Sequence, residues 1–335
     1  MNLGAEKGVE RDQFSPHRIF SAFPALLSDC FMAAVSFCSE LARSHDVSPV
    51  GTATEAAHWL LIEDPSPWGV EAVEDADWFS DVQRTLGRWQ EAVPDLRIQL
   101  IRRALGTRDT AGQIRCVAVR AGPDSAMHRW TLDTYRGLVA LDVPAALRSS
   151  DAEEDFAPLL LTCVNGQRDA CCAKWGRPVA EAATAADPEG TWQTSHLGGH
   201  RFAPTALVLP HGTHYGWLRP DDVPDLIEAH RDGQLYDLDR VRGHVHQPRP
   251  VQAACLTLRR RLGMTDLGAV QGEALTEEGD GSWTVKVVAD GQGHTARVHR
   301  EERAVAFPHS CGSDETKADV AWRVTWAETD ASLHQ

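Results

Sequence analysis

The chain has 335 residues, and its 42% hydrophobic and 24% charged residues are typical of folded globular proteins and exclude disordered or fibrous classes. The 48 acidic residues outnumber the 33 basic ones, and the net charge of -15 disfavours nucleic acid and anionic membrane surfaces as partners. A chain of this length is expected to form two or three domains.

The first 46 residues are predicted to be an N-terminal segment with one helix over Arg18–Arg43, on the spacing of its apolar residues. The apolar run from residue 19 to residue 38 contains Pro24 and Asp29, so it is too polar to cross a bilayer. Acidic residues precede this run, and a secretory signal is not expected there. We therefore predict a cytoplasmic protein without membrane insertion.

Residues 47–150 have the pattern of one folded unit, in which a strand and a helix precede three strands and a second helix. The buried apolar run HWLLIE indicates the first strand, and alternating residues indicate the others. The predicted strands are His58–Glu63, Leu96–Arg102, Ile114–Arg120 and Arg129–Thr134, and the predicted helices are Asp77–Ala92 and Val143–Arg148.

Residues 151–246 repeat that order about a hundred residues later. The segment LLLTCVNGQRD at 159–169 occupies the place of WLLIEDPSPWG at 59–69. The predicted strands are Phe156–Cys163, Thr191–Ser195, Ala206–Leu209 and His214–Leu218, and the predicted helices are Cys172–Ala185 and Asp221–Arg231. The fold class is therefore α/β, with two tandem thioredoxin-like units, each a mixed sheet with flanking helices.

Residues 247–335 are predicted to form a small C-terminal α+β domain after a proline-rich linker. A helix is expected first, followed by strands separated by glycine-rich turns. The helix is Val251–Leu262, and the strands are Trp283–Val288, Thr295–Arg300, Val305–Pro308 and Val320–Trp326.

Cysteines are concentrated in the second unit, where Cys163, Cys171 and Cys172 fall within ten residues. Eight cysteines in the chain are too few for a disulfide scaffold, and clustered cysteine in a reducing compartment indicates metal binding or catalysis. Cys163 ends a predicted strand and the cysteine pair begins a helix, so both ends of the loop face one place. The helix N-terminus stabilises a thiolate, and Arg168 adds positive charge.

Two histidines follow the next predicted strand, in Ser195-His196-Leu-Gly-Gly-His200. The two glycines allow the backbone to approach a bound group closely. Two thiolates and two imidazoles suit tetrahedral zinc or an iron–sulfur cluster, and the spacing does not choose between them. Metal-free thiol chemistry also stays open.

The segments CVNGQRDACCAKWGRP at 163–178, TSHLGGHRFAPTALVLPHGTHYGWL at 194–218 and GTATEAAHWLLIEDPSPWG at 51–69 closely resemble the sucrase/ferredoxin-like family of thioredoxin-like ferredoxins. The H-x3-H pair is similar to that of its bis-histidinyl members. The resemblance implies a [2Fe-2S] cluster with Cys163 and Cys172 on one iron and His196 and His200 on the other. The family spacing C-x8-C selects Cys172 as the ligand and leaves Cys171 as its neighbour.

This resemblance implies an electron carrier rather than a stand-alone enzyme, supplied by a separate reductase and serving an unknown acceptor. Two alternatives remain: a metal-free thiol/disulfide oxidoreductase that uses Cys163 and Cys172, and a structural zinc module for protein interactions. Cys311 is expected to be structural. The residues predicted to surround the ligands are Cys171, Arg168, Asp169 and Arg201.

Overall fold

The computed structural model describes residues 37–104, 112–149 and 157–327. They form a mixed α/β structure with a nine-stranded mixed sheet and a separate four-stranded antiparallel sheet. Across these three ranges, no helix combines the length and apolarity that a bilayer crossing requires. Of the N-terminal helix predicted over Arg18–Arg43, residues 18–36 lie outside the described ranges, and the structure shows helix α1 at Cys38–Ser44.

The first half of the large sheet follows the predicted order of elements. The predicted bounds of three strands and of the helix after them coincide with the observed ones. The elements are β1 (His58–Glu63), α2 (Ser80–Ala92), β2 (Leu96–Arg102), β3 (Ile114–Arg120), β4 (Ala126–Leu132) and α3 (Val143–Arg148). Strand β1 is parallel to β2 and antiparallel to β3, and β3 is antiparallel to β4.

The second half repeats that arrangement. Its elements are β5 (Leu159–Cys163), α4 (Ala170–Ala186), β6 (Thr191–Thr194), β7 (Thr205–Leu209), β8 (Thr213–Gly216), α5 (Val223–Arg231) and β9 (Val241–His244). Strand β5 is parallel to β6 and antiparallel to β7, and β7 is antiparallel to β8. Strand β9, which was not predicted, pairs with β8.

The two halves form one continuous sheet, in the order β4-β3-β1-β2-β6-β5-β7-β8-β9. They meet where β2 and β6 pair antiparallel, with Ile101 opposite Thr194. All five residues of β5 are buried, because β6 and β7 flank the strand and helices cover the sheet. The carboxyl end of β5, with Cys163, therefore lies deep in the protein.

The C-terminal region packs on the second half. Its elements are α6 (Arg249–Leu262), β10 (Val270–Glu277), β11 (Ser282–Ala289), β12 (Gln292–Pro308) and β13 (Thr316–Trp326). The two strands predicted over 295–300 and 305–308 are one strand, β12, with an irregularity between Arg303 and Ala306. Val251 and Val285 share a hydrophobic core with Val208 of β7, so this region continues the core of the large sheet.

Candidate metal centre

The two cysteines proposed as ligands lie at neighbouring element ends. Cys163 is the last residue of β5, and Cys172 lies in the first turn of α4. Asp169 caps this helix, because its carboxylate accepts a hydrogen bond from the Cys171 amide at 2.8 Å. Cys163 and Cys172 are each about 1% exposed, so the polypeptide excludes water from both sulfurs.

His196 completes a group of three donor atoms. Its Nδ1 lies 3.5 Å from Sγ of Cys172 and 4.0 Å from Sγ of Cys163. Ligand atoms of these three residues lie within 4.8 Å of one another, as for ligands of one metal. His200 is not part of this group: its ring centre is 6.0 Å from that of His196, its Nδ1 is 3.6 Å from Oδ2 of Asp169, and its ligand atom lies within 4.8 Å of those of Asp169 and Cys38.

The local electrostatics favour a thiolate at Cys163. The hydrogen bond from the Cys172 thiol holds the pKa of Cys163 well below its usual value, and His196 and the Leu197 amide lower it further. The pKa of Cys172 is raised, because this thiol bonds to Cys163 and is buried. Burial, helped by the charge of His196, lowers the pKa of His200 to about 4, so this imidazole is neutral at pH 7.

Hydrogen bonds from Arg242 hold the loop that carries His196 and His200. The guanidinium of this fully buried residue donates to the Gly198 carbonyl at 3.0 Å, to His214 Nε2 at 2.9 Å and to the Thr52 carbonyl. Gly198 and Gly199 have φ angles of +93° and +74°, and a Cβ at Gly199 would lie 2.3 Å from the guanidinium. The Gly-Gly pair is therefore required by backbone conformation and by space.

Arg242 was missed by sequence reasoning. It lies on β9, whose short polar sequence VRGH gives no strand pattern. A buried arginine cannot be told from a solvated one without its tertiary partners.

The four residues predicted around the ligands have different surroundings. Asp169 lies beside His200, as described above, whereas Arg168 forms an exposed ion pair with Glu71 at 2.8 Å. Arg201 pairs with the fully buried Asp319 of β13 at 3.5 Å. Sγ of Cys171 lies 3.0 Å from Sγ of Cys311, outside the group formed by Cys163, Cys172 and His196.

A surface cleft of about 400 Å³ reaches His196. Arg97, one of its lining residues, donates to the His196 carbonyl at 2.8 Å. The acidic residues Glu71, Glu74 and Asp95 line the same cleft. The histidine side of the site is therefore the side that faces solvent, whereas both cysteines are enclosed.

The donor set fits a thiophilic metal group. Two sulfurs and one imidazole nitrogen are soft and borderline ligands, suited to iron and to zinc. The Leu197 amide bonds to the Cys163 sulfur, a contact of the kind that tunes metal-bound thiolates.

Comparison with models of protein families gives a match. The model described as sucrase/ferredoxin-like matches residues 49–243, which include both halves of the large sheet and all four ligand candidates. Neither a curated protein nor a solved structure matches the chain.

Proposed function

The chain belongs to the sucrase/ferredoxin-like family, and from this premise we propose that it is an electron-transfer protein with a [2Fe-2S] cluster bound by Cys163, Cys172, His196 and His200. The observation that carries the proposal is the buried convergence of two thiols on the His196 nitrogen within 4.0 Å. Such a cluster supplies reversible one-electron transfer.

The protein contributes binding, orientation and exclusion of water. Cys163 is poised as a thiolate, and the dipole of α4 favours negative charge at Cys172. Asp169 lies 3.6 Å from Nδ1 of His200 and favours the tautomer with the proton on that atom. Nε2 of His200 then keeps the lone pair that a ligand needs.

The cleft beside His196 supplies the approach for partners. We propose that a separate reductase donates electrons and that an acceptor collects them at this side, because the cysteine side is enclosed. The cleft is lined by the four acidic residues Glu55, Glu71, Glu74 and Asp95 and by the two arginines Arg97 and Arg168, and this excess of negative charge would favour a partner with a basic surface.

The same proposal extends to the fold, as two tandem thioredoxin-like units. In each half a strand, a helix and a parallel strand precede an antiparallel hairpin, and the strand orders β2-β1-β3-β4 and β6-β5-β7-β8 correspond. Strand β1 ends at Glu63 where β5 ends at Cys163, so the first half has no thiolate at this position. We propose that the second half alone binds the cluster.

The test is the iron and acid-labile sulfide content of anaerobically purified full-length protein. Wild type should contain two irons and two sulfides per chain and be brown, and Cys163→Ala and Cys172→Ala should each lose them. Cys116→Ala is the matched control, because this cysteine is fully buried on β3 and belongs to another core cluster. Colourless wild-type protein, or a Cys163→Ala variant with full iron and sulfide, would refute the proposal.

The reduction potential gives a second measurement. Two neutral imidazoles in place of two thiolates predict roughly -150 to +300 mV, well above the roughly -400 mV of plant-type clusters. A midpoint potential near the roughly -400 mV of plant-type clusters would exclude the two-histidine ligand set.

A structural zinc module remains the second candidate. It is favoured by the position of His196 Nδ1, within 4.0 Å of both sulfurs, because one tetrahedral ion would hold such ligands. Zinc without iron that depends on Cys163 and Cys172 would establish this alternative. Wild type without either metal, with a reversible bond between Cys163 and Cys172, would establish metal-free thiol chemistry.

A further inference from the structure

Three cysteines outside the proposed cluster site meet at the N-terminus of α4. Cys38 lies on α1, Cys171 is in the first turn of α4, and Cys311 lies in the turn between β12 and β13. Sγ of Cys311 is 3.0 Å from Sγ of Cys171 and 3.6 Å from Sγ of Cys38. Cys38 and Cys311 are 273 residues apart in sequence, so the fold brings these thiols together across most of the chain.

A buried carboxylate lies among these sulfurs. The Asp169 side chain is 0% exposed, and it accepts hydrogen bonds from the Cys171 amide at 2.8 Å and the Cys311 amide at 2.9 Å. Ligand atoms of Asp169, Cys171 and Cys311 lie within 4.8 Å of one another, and so do those of Asp169, Cys38 and His200, so Asp169 is common to two adjoining groups. Cys38 and Cys171 are buried and Cys311 is half-buried, so a carboxylate and three thiols offer a largely enclosed set of ligands for a cation.

Positive groups surround the pocket. The Lys317 ammonium lies near enough to Cys38 for their charges to interact, and Nζ of Lys174 lies 3.7 Å from the Phe37 ring centre, beside Cys38. Three thiolates and one carboxylate carry more negative charge than a divalent ion neutralises. The lysines offset part of that excess.

The distances suit a tetrahedral metal with small adjustments. Metal–sulfur bonds of about 2.3 Å separate two sulfur ligands by about 3.8 Å. The 3.6 Å between Cys311 and Cys38 is close to this value, and Cys171 needs to move outward by less than the length of a bond. A disulfide between Cys171 and Cys311 would leave the positions of Cys38 and Asp169 without a role.

We propose that Cys38, Cys171, Cys311 and Asp169 form a second metal site, which binds one Zn²⁺ ion. The site joins α1, the C-terminal sheet and the helix that begins with Cys171 and Cys172. Because these two cysteines are consecutive, the zinc ion would lie next to the turn of α4 that carries Cys172. The proposal does not depend on the identity of the group bound by Cys163 and Cys172.

The test is the zinc and iron content of full-length protein, purified anaerobically with reductant after expression with both metals. Wild type should contain one zinc more than the double variant Cys38→Ser/Cys311→Ser, with iron unchanged between them. Cys255→Ser is the matched control, because Cys255 is buried on α6, away from both sites, and should keep all metal. Cys163→Ala should lose iron and keep this zinc, so failure of the cluster proposal is recorded separately.

The variant Asp169→Asn tests the site with a smaller risk of misfolding than the double variant. Asp169→Asn keeps a side chain that can cap α4, and it should weaken zinc retention against a chelator at least tenfold with unchanged helix content by circular dichroism. The proposal would be overturned if wild type contained no zinc or if the double variant contained as much zinc as wild type. It would also be overturned if Asp169→Asn retained zinc as well as wild type, or if the native protein contained a disulfide between Cys171 and Cys311.

Discussion

Gly176 of α4 is the position at which a single methyl group should disturb the site most. A Cβ at this residue would lie 2.0 Å from the carbonyl oxygen of Cys163, whereas real Cβ atoms stay beyond about 3.0 Å. The Gly176→Ala variant must therefore move α4 away from β5 by about 1 Å. Cys163 lies on the strand and Cys172 on the helix, so the movement separates the two sulfurs.

The effect on stability can be worked from two opposing contributions. Overpacking against an immovable backbone costs about 1–3 kcal/mol, and alanine gains about 0.5–1 kcal/mol over glycine inside a helix. We expect Gly176→Ala to lower the free energy of unfolding by about 1–2 kcal/mol. A displacement of 1 Å exceeds the roughly 0.2 Å tolerance of metal–ligand distances, so bound metal should also be lost.

Gly87 of α2 is the matched control, because a Cβ there meets no atom within 4 Å. Gly87→Ala should raise the free energy of unfolding by about 0.5–1 kcal/mol and leave the metal content unchanged. Urea unfolding followed by circular dichroism, with metal analysis of the same samples, measures both effects. A Gly176→Ala protein with wild-type stability and full metal would refute the reasoning.

Three further predictions concern buried polar groups. Arg242→Leu leaves the carbonyl of Gly198 without its hydrogen-bond donor and should lower the free energy of unfolding by about 2–4 kcal/mol, with loss of bound metal. A folded variant with full metal content would contradict the role of Arg242 in holding the histidine loop. Asp319→Ala removes the buried carboxylate that pairs with Arg201, whose side chain is 14% exposed, and should lower the free energy of unfolding in urea by about 3–5 kcal/mol, whereas a loss below about 1 kcal/mol would show that the pair is solvated. Burial lowers the pKa of His230 to about 3, so below pH 6.5 the imidazole binds a proton in the unfolded chain but not in the folded one, and the free energy of unfolding falls as the pH falls. Between pH 7 and pH 5 this fall should be smaller by about 2 kcal/mol in His230→Gln than in wild type. A fall of the same size in both proteins would contradict this prediction.

The elements that could be predicted from sequence have strong local patterns. The apolar run of β1 and the bounds of β2, β3 and α3 follow from such patterns, and both halves of the large sheet keep the predicted order. Strand β10 was missed because only its first residue, Val270, is buried, so no alternation marks the strand. Strand β12 was divided in two because the irregularity at 303–306 interrupts its period.

The site was predictable as far as local spacing reached. The loop from Cys163 to Cys172 and the histidine pair around two glycines were visible, because each connects adjacent elements. The meeting of Cys38, Cys171 and Cys311 was not visible, because it depends on contacts between segments up to 273 residues apart. Cys311 was expected to be structural, but the sequence did not indicate that it contacts Cys171.

The most direct test of the central proposal is low-temperature EPR of the full-length protein, reduced with dithionite, with natural-abundance and with ¹⁵N-labelled histidine. A cluster with two histidine ligands should give a rhombic S = 1/2 signal with two nitrogen couplings that change on labelling, and one coupling should be lost in His196→Cys and in His200→Cys. A protein that gives no signal after reduction, or a signal without nitrogen coupling, would contradict a cluster bound by Cys163, Cys172, His196 and His200.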